Sequence, residues 1–142
     1  VMRSAAQEAD LWRLLARVRG LRVRRRLRAL ADARRHERRA ANEVAQRVAA
    51  LEHHADARQR MLAFCRHDRR GGGQWHATLR AHDASTPVLQ RHLADAQHAH
   101  AAARDETSEA LRAWQVERVR HDDVQQRWRT AVARAACDGT QD

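Results

Sequence analysis

The chain carries ten His, two Cys and 28 basic residues, every one of the 28 an arginine. Metal binding, nucleophilic catalysis and anion binding are therefore the chemistries to weigh first. Two side chains that share a metal on one helix must sit three or four residues apart. No two His in this chain do: His53 and His54 are adjacent, and His98 and His100 are two apart, so each pair points to different faces. Cys65 and Cys137 have no motif spacing, and no serine or cysteine stands in a strand elbow or beside a Gly-rich oxyanion loop. Gly71-Gly72-Gly73 is not a phosphate loop, since no Lys-Ser or Lys-Thr follows it. No catalytic residue, metal site or cofactor is implied, and the expectation is a chain that is not an enzyme.

Anion binding fares better. Residues 1–40 hold thirteen Arg against four acids, whereas residues 41–142 hold fifteen against fourteen, so nearly all of the net charge of +10 sits on the first quarter. Its densest part is Arg24, Arg25, Arg26, Arg28, Arg34, Arg35, Arg38 and Arg39. Such an arm attracts nucleic acid, anionic lipid or an acidic protein cavity; the plainer reading is a solvated helix flank. A basic-zipper arm is disfavoured, because Val23, Leu27 and Leu30 carry an apolar ladder straight through the Arg cluster and no Asn-x-x-Ala-type base-reading segment accompanies it.

The elements that must position these residues follow from composition. Of the 61 apolar residues 30 are Ala, which leaves too few large side chains for a thick core. No Ile, no Tyr and one Phe argue against sheets. No run approaches the 18 or more apolar residues of a membrane span, and no leader pattern is present; with two unspaced cysteines this points to a reducing cytoplasm. Ser4-x-x-Gln7 has the form of a capping box, and helix is expected over 4–70, with the turn at Gly71-Gly73. A helix of that length would reach roughly 100 Å at 1.5 Å per residue. Ser85-Thr86-Pro87 reads as a cap and first turn, dividing the remainder into a short helix 74–84 and a long helix 86–137.

The fold class so predicted is all-α: one long antiparallel two-helix coiled-coil hairpin spanning 1–142. Two ladders of three/four spacing support it. One runs from Ala16 through Val23, Leu30, Val44 and Leu51 to Cys65, the other from Leu89 through Ala96, Ala103, Trp114 and Glu117 to Ala135. Folding at Gly72 would pair residues whose numbers add to 144. Leu11, Leu14, Val18 and Leu21 form a second apolar set out of phase with the first, suggesting a register slip near Gly20. Arg34 and Glu37 fall on the seam and mark a weak central section.

Of the four Trp, Trp114 and Trp128 read as seam packing and Trp12 as a cover for the open end. Trp75 follows the glycines, where little is expected to bury it. Trp75-x-x-x-Leu79, with His82 one turn on, offers a docking knob, or else simply caps the hairpin.

The length, the Ala/Arg/Gln-rich hairpin, the aromatic-x-x-x-Leu element and the segment Leu111-Arg112-Ala113-Trp114-Gln115 together resemble the FliJ/YscO family, the stalk proteins of type III secretion, and among them the Hrp-type members. The Gly triplet and Pro87 depart from the family pattern. The resemblance implies a non-enzymatic stalk whose paired terminal helices enter the pore of a hexameric secretion ATPase and whose tip meets an export-gate membrane protein. Secretion chaperones are further partners of some members. It implies gate contact for Trp75, Leu79 and His82, and a cytoplasmic location beside the secretion apparatus at the inner membrane. The eight clustered Arg would meet acidic loops of the ring. The alternatives are a basic helical nucleic-acid-binding protein and a self-assembling coiled-coil scaffold.

Overall fold

The computed structural model describes residues 3–67 and 72–140. It contains two helices, α1 (Ala5–His67) and α2 (Gly72–Gly139), packed against each other as a two-helix hairpin. Ala, Leu, Arg, Gln and Glu are strong helix formers, and α1 holds no Pro to interrupt them. The capping box forms as expected. The Gln7 amide donates to Ser4 Oγ at 3.2 Å, and the Ser4 amide donates to Gln7 Oε1 at 3.0 Å. At the other end the Thr140 hydroxyl donates to the Cys137 carbonyl at 2.8 Å and closes α2.

Two boundaries differ from expectation. Gly72 and Gly73 do not belong to the turn expected at Gly71-Gly73: α2 already begins at Gly72, Gly73 is helical, and no described glycine has a positive φ. Glycine costs little in a first turn, where its amide has no intrahelical partner to lose. Gly71 and the end of the expected helix 4–70 lie outside the described residues.

The break before helix 86–137 is also absent, because α2 runs unbroken through Pro87. Ser85 is no cap; its hydroxyl donates back to the His82 carbonyl at 2.7 Å. Proline inside a helix removes an amide donor and crowds the preceding turn, a cost of about 3 kcal/mol. Several ties to α1 fall on the same turns. The His54 and His82 rings stack at 3.6 Å, His54 Nε2 lies 2.9 Å from Thr86 Oγ1, and Arg58 donates to both oxygens of Asp83 at 2.8 and 3.3 Å.

The seam is the expected one on α2, where every position from Leu89 to Ala135 in the three/four ladder is buried or half-buried. On α1 four ladder members, Leu27, Arg34, Val48 and Ala55, are exposed. The register also differs. Phe64 stacks on Trp75, Arg127 lies over Trp12 and Arg58 binds Asp83, pairs whose numbers add to 139, 139 and 141 rather than 144. A turn earlier than Gly72 moves every pairing in this direction.

The chain divides into two compact units, Val1–Arg34 with Glu106–Asp142 and, separately, Arg35–Asp105. The division falls at Arg34, next to the polar seam section that the sequence marks as weak. In the first unit Leu30, 2% exposed, is buried with Ala9, Ala16 and Ala131. Glu117 is buried there too, with Arg120 Nη1 at 3.4 Å and Arg19 Nη1, from α1, at 3.6 Å. In the second unit only Ala96 and Ala103 are buried among the described residues, and the larger side chains of the seam remain part-exposed.

Candidate partner-binding surfaces

The eight clustered Arg are all exposed, and they belong to different units: Arg24, Arg25, Arg26, Arg28 and Arg34 to the first, Arg35, Arg38 and Arg39 to the second. A helix projects residues at 100° steps, so in the first unit Arg13, Arg17, Arg24 and Arg28, spaced four, seven and four apart, share one face of α1. Arg25 and Arg26 turn to other faces. The arm thus offers one aligned row of guanidinium groups and scattered charge around it, a surface suited to several carboxylates at once.

In the second unit, Trp75, Leu79 and His82 share the face of α2 that contacts α1, and all three are half-buried. The Trp75 ring lies parallel to Phe64 with centroids 5.1 Å apart, and His82 Nε2 is 2.8 Å from the His54 carbonyl. Trp75 is therefore supported by α1 and not left bare. The large apolar surface shown to water at this place is Phe64, 54% exposed, which sequence reasoning did not single out. Its signal was present: Phe64 is the chain's one phenylalanine and lies just before the expected turn. Any partner that docks here meets a Phe64–Trp75 stack.

Around His82, the partners His54, Arg58 and Asp83 were not singled out as a group, because its members come from both helices. Asp83 is held below the ordinary carboxylate value, chiefly by the hydrogen bond from Arg58, with the charges of Arg58, His82 and His54 acting in the same sense and burial opposing them. Arg58 is raised in return. These contacts are satisfied within the chain and act as structural ties. Among the described residues no group of three or more His, Cys, Asp or Glu converges in a way that would hold a metal ion. No described helix is long and apolar enough to cross a membrane.

A groove opens in the first unit between Arg13, Arg17 and Arg24 of α1 and His121, Gln125 and Trp128 of α2, with a volume of about 760 Å³. Trp128 lines it, so its ring is not wholly committed to the seam. No protein-family model, curated protein or solved structure matches the chain.

Proposed function

We propose that this chain is a non-enzymatic stalk of a type III secretion apparatus, of the FliJ/YscO kind, that binds and stimulates the hexameric secretion ATPase and couples it to the export gate. The observation that carries this reading is the two-helix hairpin with an exposed arginine face on the arm of α1 near the chain ends and an aromatic pair where α2 begins. The exposed arginines of the first unit, among them Arg24, Arg25, Arg26 and Arg28, are complementary to acidic loops lining a ring pore. The Phe64–Trp75 stack, with Leu79 and His82 behind it, is the contact for the gate protein. In this reading the chain works peripherally at the inner membrane and has no small-molecule substrate.

Pull-down and ATPase assays with the cognate hexameric secretion ATPase test the proposal. Binding with raised turnover or hexamer formation is expected, and reversal of Arg24, Arg25, Arg26 and Arg28 to Glu should weaken it at least tenfold. Trp75→Ala should leave ring binding intact and reduce capture of the gate protein. Absence of both binding and any change in turnover would remove the stalk reading. Binding to unrelated DNA duplexes that collapses between low and moderate salt would favour nucleic acid instead.

A further inference from the structure

We propose that the groove of the first unit is a docking site for an acidic amphipathic helix supplied by a different protein. The inference needs only this unit and does not rest on the stalk reading.

Leu11, Leu14, Val18 and Leu21 follow one another at three, four and three residues, the spacing of a coiled-coil seam. Yet all four are exposed, Leu14 at 60% and Leu21 at 55%. The seam used against α2 is the other one, marked by buried Ala9, Ala16 and Leu30. With 100° per residue, Leu14 and Leu21 lie well over a right angle around α1 from Ala16. The arm therefore has two apolar seams, and α2 covers one of them.

The groove lies between the two. Its floor holds Ala16 and Gly20, its α1 wall Leu14 and Leu21, and its far wall Trp128. A Cβ at Gly20 would make only an ordinary contact, 3.5 Å from His121 Nε2, so packing against α2 does not demand glycine there. What the missing side chain provides is room for a third backbone to approach, as small residues do at close helix crossings. From Asp10 to Arg24 the lined stretch spans about 21 Å, or roughly four helical turns.

Charge selects the occupant. Arg13, Arg17 and Arg24 line the same wall as the two leucines, against the single carboxylate of Asp10, so the wall is net cationic. A second copy of this chain would bring an equally basic arm, thirteen Arg against four acids in residues 1–40, and the rest of the copy is near neutral, with fifteen Arg against fourteen acids. An acidic stretch within it, residues 105–123 with six acids against three Arg, is already held by α1 of its own chain, as through Arg19 and Glu117. A polynucleotide would satisfy the guanidinium groups but has no use for Leu14 and Leu21, one heptad apart on the same wall. A helix with Leu or Ile on one face and Glu or Asp beside it satisfies both, the apolar row entering the groove and the carboxylates meeting Arg13, Arg17 and Arg24.

The full chain, titrated against a labelled 21-residue synthetic helix with Leu at heptad a and d positions and Glu on the flanks, tests this by fluorescence anisotropy. A peptide of identical composition with its leucines scrambled around the helix is the control for charge alone. The proposal expects the amphipathic peptide to bind at least tenfold more tightly than the scrambled one. It expects Leu14→Gln with Leu21→Gln to remove at least tenfold of that affinity, with circular dichroism melting unchanged. Arg13→Glu with Arg17→Glu should weaken binding and flatten its salt dependence. Equal affinity for the scrambled peptide would overturn the proposal, as would binding indifferent to the leucine changes. A dimer in sedimentation that Leu14→Gln with Leu21→Gln dissolves would overturn it in favour of a second copy.

Discussion

In the unit of Arg35–Asp105 the helices are held by contacts between named polar and aromatic partners, whereas in the unit of Val1–Arg34 with Glu106–Asp142 they are held by buried Leu and Ala while other leucines stay in water. The first arrangement uses the His54–His82 stack, the Arg58–Asp83 pair and the Phe64–Trp75 stack. The second buries Leu30 with three alanines and leaves Leu11, Leu14, Val18 and Leu21 exposed. Burying a leucine fully is worth roughly 1.5–3 kcal/mol. Four such residues on one stripe are driving force that the isolated chain does not use, and a partner can. Both units keep large apolar side chains in water: Val48, Phe64 and Val88 in one, and in the other a stripe of four on one face of α1.

The largest test of this contrast is Leu30→Ala. Leu30 is the most buried large side chain, and its truncation should cost about 3 kcal/mol in urea unfolding. Leu51→Ala, at a half-buried seam position of the second unit, should cost about half as much. Equal losses would erase the difference between the units.

Next comes the ion pair inside the apolar unit. Arg19→Ala withdraws the α1 partner of the buried Glu117 carboxylate and should destabilise by about 1–2 kcal/mol. Glu117→Leu, which removes the buried charge altogether, should change stability by less than about 1 kcal/mol in either direction.

The second unit carries the pH response. Asp83 is depressed in the fold, so its contribution is fully present above the unfolded carboxylate value and is lost as pH falls through the lower folded value. Thermal melts should therefore drop in the acid range below the ordinary carboxylate pKa, and Asp83→Asn should flatten that drop. The effect is small, because the pair is partly solvent-exposed.

The smallest change expected is Leu14→Gln with Leu21→Gln, within about 0.5 kcal/mol of the parent in the same melts. A larger loss would mean that the outward stripe supports the hairpin itself.

Much of the fold was legible because helical periodicity survives without knowledge of the partner. The α2 ladder from Leu89 to Ala135 depends only on which face is apolar, and each of its members is withdrawn from solvent. Register was not legible, because it depends on where the chain reverses. The glycines drew the turn to Gly71-Gly73, but Gly72 and Gly73 are helical, and the pairings shift accordingly. Pro87 misled for a related reason: α2 runs through it on the turns where Arg58 and His54 meet their α2 partners, contacts that only the true register brings together. The clustered Arg and the second apolar set could be read directly, since exposure follows from charge and phase. That Leu14 and Leu21 border a groove with Trp128 could not be, because the groove is made by both helices.

The hairpin and its groove both require the two helices to lie antiparallel within one molecule in this register. Spin labels at Arg17→Cys and Asp122→Cys, in a chain whose Cys65 and Cys137 are replaced by Ala, measure this directly by double electron–electron resonance. Packed helices have axes about 8–10 Å apart, so the two labels should lie within about 20–25 Å of each other, and dilution with unlabelled chain should leave that distance unchanged. A separation beyond about 40 Å, or a short distance that disappears on dilution, would contradict the hairpin and the groove it forms.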